Sequence, residues 1–225
     1  MKILKDIEMQ PEIISKNIND FYHLCEQPHH RYKSWEHCYK YFHNNKESLR
    51  KLNVKLPEEA LLQLGFYLAS WGMYRGSAFL LQNDYTVFDN LLSELLNPKY
   101  EILWCWGDDD INTKDKTVFI RKLLEANSTI TRILEQDTGY KCTDTLTTKI
   151  LMGIYGCVPA YDTYVKTSLK ELNICQTVNA KSLDGLFEFY FANKIALSQN
   201  LTLTIDKTIR YPIMKKIDMA FFVKK

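Results

Sequence analysis

Glycine and proline are both scarce in this sequence, which contains 8 glycines and 6 prolines among 225 residues. Both residues interrupt regular secondary structure, so their scarcity favours long helices over many tight turns. Internal repeats and low-complexity tracts are also lacking. With 46% hydrophobic and 25% charged residues, the composition is that of an ordinary globular protein.

A strong excess of charge of one sign is lacking too. The 29 basic and 27 acidic residues leave a formal net charge of +2. The whole chain therefore shows no electrostatic footprint of nucleic-acid binding. Basic residues do accumulate in the C-terminal third, from Lys166 to Lys225, which favours an acidic partner.

No apolar run that is long enough to span a bilayer is free of polar residues. Residues 60–81 are long enough to span a bilayer, but they include Gln63 and Arg75. Because a central arginine costs about 2.5–3.5 kcal/mol in a membrane, a buried core helix is predicted here and no membrane partner. Residues 1–18 lack the apolar core of a signal peptide. The six scattered cysteines form no Cys-x-x-Cys pair, so reduced thiols and a cytoplasmic location are predicted.

Helical periodicity runs through most of the chain and predicts an all-α fold. In residues 31–45, for example, Trp35, Cys38, Tyr39 and Phe42 share one apolar face. Further helices are predicted over 9–25, 57–82, 85–97, 114–136, 143–156, 163–174, 182–200 and 211–222, with Ser182 as an N-cap. A single multi-helix domain, 1–225, is expected, with a division into two lobes of about 1–107 and 108–225 as the alternative.

Two clusters suggest metal binding, and in each the structural interpretation is favoured. Cys25, His29, Cys38 and His43 could supply four zinc ligands, but Cys38 lies on the apolar face of its helix. The carboxylates at 108–110 and 115 could bind Mg²⁺ or Ca²⁺, but a solvated loop before a helix explains them as well. We therefore predict no metal and no cofactor.

The segment 158–169, VPAYDTYVKTSL, places Asp162 between two apolar helices. An aspartate at this position is a good N-cap, worth about 1 kcal/mol. It could equally be a catalytic carboxylate held at a helix N-terminus. The sequence leaves both interpretations open.

Residues 145–174 resemble the catalytic end of the helix-hairpin-helix DNA glycosylases. In that superfamily an apolar helix leads into a short turn with the catalytic aspartate, within an Asp-Thr-His-Val pattern. Asp162, Thr163 and Val165 match this pattern, while Tyr164 stands in place of the histidine. The hairpin of the family has a Gly-x-Gly turn, of which Gly139 is the one glycine present near Lys141.

The resemblance implies cleavage of an N-glycosidic bond in DNA, with Asp162 as the catalytic carboxylate. In bifunctional members a lysine attacks the sugar and forms a Schiff base. Lys149 and Lys141, which precede Asp162 in the chain, are the two candidates. Lys166 falls where the family carries a basic residue on the next helix, and Lys170, Arg75 and Trp71 are further candidates for contacts with nucleic acid.

Other functions stay open beside this one. The chain could be an inactive relative of the glycosylases, or a non-enzymatic helical module that binds a protein partner. Arg31 and His37 echo the spaced pair of HEPN-type ribonucleases, which suggests a toxin or defence factor as a third option. Residues 66–81 and 211–222 also resemble small bacterial families that have no assigned activity.

Overall fold

The computed structural model describes residues 9–52, 55–104, 113–200 and 202–222. In these ranges the only β pairing is an isolated bridge between Leu203 and Arg210. The helices are α1 (Pro11–Glu26), α2 (Lys33–Arg50), α3 (Glu58–Ser70), α4 (Asp89–Leu95), α5 (Thr113–Thr138), α6 (Asp144–Tyr155), α7 (Thr163–Glu171), α8 (Ala180–Ala192), α9 (Lys194–Gln199) and α10 (Ile213–Phe221). Short 3-10 helices at Phe79–Gln82, Tyr85–Phe88 and Pro98–Trp104 complete the set. The all-α prediction is confirmed for these residues.

Helix α6 lies at the centre of the molecule. Every residue from Leu146 to Tyr155 is buried, and the helix packs against α2, α3 and α5. The apolar face predicted for α2 is confirmed, since its four members are all buried. On that face the indole of Trp35 donates a hydrogen bond of 2.9 Å to the carbonyl of Met152 in α6. A helix covered on all sides has no solvated face for charged side chains.

Helix α10 closes the core from the C-terminal end. It packs against α1, α7 and α9, and all its residues are buried, including Lys215, Lys216 and Asp218. Buried apolar side chains from α1 through α10 belong to one hydrophobic cluster. The alternative division into two lobes near residue 107 stays a prediction.

The helix predicted over 57–82 is shorter than expected, because α3 ends at Ser70. Gly72 adopts a left-handed conformation, with a φ of 77°. Its N–H donates a hydrogen bond to the carbonyl of Ala69, and the N–H of Met73 donates one to the carbonyl of Leu68. This pair of bonds is a Schellman motif, which satisfies the last carbonyls of a helix and reverses the chain. Among the residues described, no helix is both long and apolar enough to cross a membrane.

The predicted helix over 182–200 also differs from the structure. It begins at Ala180 and is divided at Asn193 into α8 and α9. Ser182 is not the N-cap, since Asn179 takes that position and its side chain accepts a hydrogen bond of 2.9 Å from the N–H of Ser182. Asparagine and serine both suit this role, and sequence pattern alone does not separate two candidates three residues apart.

The end of α6 depends on Gly156, and this generates a stability prediction. Gly156 has φ 65°, and a methyl group added to it would lie 2.5 Å from Cγ of Pro212. Gly139 has a similar φ of 76° but nothing within 4 Å of an added methyl group. Gly139→Ala should cost only the left-handed strain, about 1–2 kcal/mol. Gly156→Ala adds overpacking of about 1–3 kcal/mol. Urea unfolding measures the free energy of unfolding of both variants. Equal losses of stability in the two would contradict the close packing of α6 against Pro212.

Candidate functional site

Asp162 is the N-cap of α7. Its Oδ1 accepts hydrogen bonds from the backbone N–H groups of Tyr164, at 3.0 Å, and Val165, at 3.2 Å. These bonds satisfy two of the N–H groups that a helix start leaves without partners inside the helix. The structural interpretation of this residue is therefore confirmed.

The same carboxylate also lines a small cavity together with Lys149. Lys149 projects from the central helix α6 and is only 4% exposed. Its Nζ donates a hydrogen bond of 2.8 Å to the carbonyl of Trp71, just beyond the end of α3. The cavity has a volume of about 10 Å³, which is close to the space that one water molecule needs. The turn from α6 to α7 thus brings together the two residues that the sequence proposed as catalytic partners.

A second carboxylate, Asp218 of α10, lines the same cavity. Its Oδ1 accepts a hydrogen bond of 3.0 Å from the N–H of Ala160, and its Oδ2 pairs with Nζ of Lys215 at 2.8 Å. Lys215 is 2% exposed, and its ammonium group lies 4.4 Å from the ring centre of Phe21 and 4.9 Å from that of Trp35. Asp218 therefore holds the turn that carries Asp162. It also forms a buried ion pair with Lys215, whose ammonium group interacts with the faces of two aromatic rings.

Sequence reasoning missed both Asp218 and Lys215. The signal in the sequence was the spacing of a lysine and an aspartate three residues apart in a short, mostly apolar helix, where charged residues are rarely fully buried unless they are paired. Asp218 and the N–H of Ala160 lie far apart in the sequence, on α10 and in the turn that precedes α7. Only the packing of these elements brings them together.

Burial moves the pKa values of Asp162 and Lys149 towards their neutral forms. Burial raises the pKa of Asp162, the charge of Asp218 raises it further, and Lys149 and the two capping amides act in the opposite direction. Burial also lowers the pKa of Lys149. The charges of Asp162 and Asp218 raise this pKa, whereas the charges of Arg75 and Arg31 lower it further. A carboxylic acid and an amine displaced in this way are the arrangement that acid–base and nucleophilic chemistry uses.

Trp71 forms one wall of the site. Its ring stacks on Tyr32 at 4.8 Å, and the guanidinium of the exposed Arg31 lies 5.8 Å from the ring centre. Lys149 lies over the same ring at 5.8 Å. Phe222, at the end of α10, also lines the cavity. Trp71 is thus packed within the site, where its indole contacts protein groups on both sides.

Comparisons with protein-family models, with curated proteins and with solved structures give no significant match. The functional argument for this chain therefore depends on the geometry of its site.

The remaining nucleic-acid candidates lie outside this cavity. Lys141 and Arg75 line a second, larger cavity together with Gly72. Lys170 is exposed on α7, and Lys166 is half-buried on the same helix. Of the two proposed nucleophiles, Lys149 alone lines the cavity of Asp162.

The structure also locates the alternative candidates. Cys25 and Cys38 are buried, and burial raises the pKa of Cys25 to about 12 and that of Cys38 well above its usual value. In the part of the chain that the structure describes, no three His, Cys, Asp or Glu side chains form a metal-binding group. The aspartates at 108–110 lie outside the described residues. Arg31 precedes α2 and donates a hydrogen bond to the carbonyl of Ser70, while His37 is exposed on α2.

Substitutions of Asp162 separate its capping role from its charge. The pKa of Asp162 in the folded protein is raised above the ordinary value of 3.8, so its contribution to stability is complete below that pH and is lost as the pH rises through the folded-state pKa. Asp162→Asn keeps a capping oxygen and is always neutral. Its free energy of unfolding should therefore rise relative to that of the wild type as the pH increases from about 4 to 7.

Asp162→Ala is the matched control, because it removes the charge and the cap together. It should be about 0.5–2 kcal/mol less stable than Asp162→Asn at each pH. Urea unfolding at several pH values measures both differences. An Asn variant less stable than the wild type at pH 7 would show that the ionised carboxylate stabilises the fold.

Proposed function

We propose that this protein cleaves an N-glycosidic bond in DNA, in the manner of the helix-hairpin-helix glycosylases that residues 145–174 resemble. The observation that carries the proposal is that Lys149 and Asp162 line one buried cavity. The resemblance is local, and the shared cavity is independent support for it. The site also explains why a lysine lies on a helix that is otherwise covered by protein.

The two residues suit a covalent mechanism. Neutral Lys149 attacks C1′ of the nucleotide with the lone pair of Nζ, and the C1′–N bond to the base breaks. The base leaves with the bonding electrons and takes up a proton from water, while Nζ gives a proton to Asp162. The bond between C1′ and O4′ then breaks: O4′ keeps the electron pair and takes back the proton from Asp162, and the lone pair of Nζ forms an iminium ion with C1′. Burial favours this chemistry because it increases the neutral fraction of the lysine.

A water-mediated route uses the same residues. Asp162 accepts a proton from a water molecule, and the hydroxide attacks C1′ without a covalent enzyme intermediate. The bond between C1′ and the base breaks at the same time, and the base leaves with the bonding electrons and takes up the proton from Asp162. The positive charge that develops on the sugar lies beside the carboxylate, which stabilises it. The cavity provides room for about one water molecule.

The charges around the cavity fit an anionic substrate. Lys149, Lys215, Arg31 and Arg75 lie in or near it, against the two carboxylates. This local excess of positive charge attracts the phosphates of nucleic acid even though the whole chain is nearly neutral. A nucleotide does not fit into about 10 Å³, so binding requires Trp71 and Phe222, both half-buried, to move away from the cavity.

Borohydride trapping tests the lysine directly. The protein is incubated with duplexes that contain an abasic site or one of a panel of damaged bases, and a reduced covalent complex is detected by gel electrophoresis. We expect the wild type to be trapped. Lys149→Arg should not be trapped, because arginine keeps the charge but cannot form a Schiff base. Lys141→Arg is the matched control and should be trapped like the wild type.

An assay of base release tests the water-mediated route, which borohydride trapping does not detect. Release of free base from the same panel should fall by about 100-fold or more in Asp162→Asn. Lys51→Gln, at an exposed residue just beyond α2 that lines neither cavity, is the control that should leave release unchanged. The proposal is wrong if the panel gives neither trapping nor base release, or if Asp162→Asn leaves the release unchanged.

One observation favours a second candidate function, a helical module that binds a protein partner. Leu62 and Phe66 lie one turn apart on α3 and are 49% and 63% exposed, although both are large and apolar. Neighbouring exposed apolar side chains are typical of protein interaction sites. This role requires neither Lys149 nor Asp162, so the trapping and base-release experiments separate it from the first.

A further inference from the structure

The second cavity near the candidate site lies between the turn after α3 and the start of α6. Its volume is about 430 Å³, against about 10 Å³ for the cavity of Asp162. Cavities of this size accommodate small organic ligands. The two cavities are neighbours, because Gly72 lines the larger one and the preceding carbonyl, of Trp71, holds Lys149.

One wall of this cavity is aromatic. The rings of Phe79 and Tyr140 are stacked, with centres 5.7 Å apart and planes 5° from parallel. Tyr140 is 57% exposed, so the face of its ring that does not contact Phe79 is open to a ligand. The floor is apolar and includes the buried side chains of Leu80 and Leu146. A flat, exposed ring beside an apolar floor suits a planar ligand such as a nucleobase.

The charged residues of the cavity are both cationic. Arg75 and Lys141 line it from opposite segments, both are exposed, and neither forms an ion pair within the described ranges. Among the described residues, no carboxylate side chain lines the cavity. An arginine and a lysine without acidic neighbours are a favourable arrangement for a phosphate group.

We infer that this cavity binds a nucleotide, with the base stacked on Tyr140 and the phosphate held by Arg75 and Lys141. Two sources share this chemistry, a free mononucleotide and one unit of a nucleic-acid strand. The inference does not depend on the reaction proposed above, because neither Lys149 nor Asp162 lines this cavity. If an experiment contradicts one of the two proposals, the other is therefore unaffected.

Isothermal titration calorimetry with three probes tests the inference: deoxyadenosine monophosphate, a short single-stranded oligothymidine, and inorganic phosphate. We expect at least one nucleotide probe to bind more tightly than phosphate. Binding by the oligothymidine alone identifies a strand as the source, and equal or tighter binding by the mononucleotide identifies a free nucleotide. Tyr140→Leu should weaken nucleotide binding about fivefold or more, because it removes the stacking surface.

Phe66→Leu is the matched control for Tyr140→Leu, since Phe66 is an exposed aromatic residue on α3 that does not line the cavity. Arg75→Gln and Lys141→Gln should each weaken binding and lower the salt dependence of oligothymidine binding by about 0.7 in the log–log slope. Lys51→Gln, at an exposed lysine that lines neither cavity, is the control and should leave both unchanged. All of these side chains are exposed, and thermal unfolding followed by circular dichroism verifies the fold of each variant. The inference is overturned if no nucleotide probe binds at millimolar concentration, if phosphate binds as tightly as the nucleotides, or if Tyr140→Leu behaves like Phe66→Leu.

Discussion

The burial of Lys149 on the central helix is the constraint on which the site depends. Helix α6 is covered by α2, α3 and α5, so the ammonium group of Lys149, which is 4% exposed, has little contact with bulk water. A buried charge must be paired or hydrogen-bonded, and here the carbonyl of Trp71 accepts the hydrogen bond while two carboxylates lie nearby. The end of α3, the turn before α7 and helix α10 are all held at this one point.

Asp162 has a structural role as the cap of α7, and the proposed chemistry depends on the same side chain. Its Oδ1 accepts the two amide hydrogen bonds that start α7, and the same carboxylate lies in the cavity of Lys149. The cap fixes the orientation of the carboxylate, which a reacting group requires, and the amides partly compensate for its burial. Asp218 adds a further support, because its hydrogen bond to the N–H of Ala160 holds the turn from the other side.

This arrangement has an energetic cost. The pKa values of Asp162 and Lys149 are both displaced towards neutrality, so each group is less favourable in its charged form here than in water. Well-packed apolar residues often stabilise a core as well as a buried ion pair does, or better. Proteins commonly retain such unfavourable groups where function requires them. That cost is a physical argument for the proposed chemistry at this cavity.

The sequence by itself determined the all-α fold, the buried face of α2 and the residue that caps α7, because helical periodicity and capping depend on residues close together in the chain. The sequence could also pair Asp162 with Lys149, because only the rest of helix α6 and one turn separate them in the chain. Only the tertiary structure decided the hydrogen bond of Lys149 to the carbonyl of Trp71, the hydrogen bond of Asp218 to the N–H of Ala160 and the stacking of Tyr140 on Phe79. These depend on contacts between distant segments, and the periodicity of a single segment carries no information about which surface will cover it.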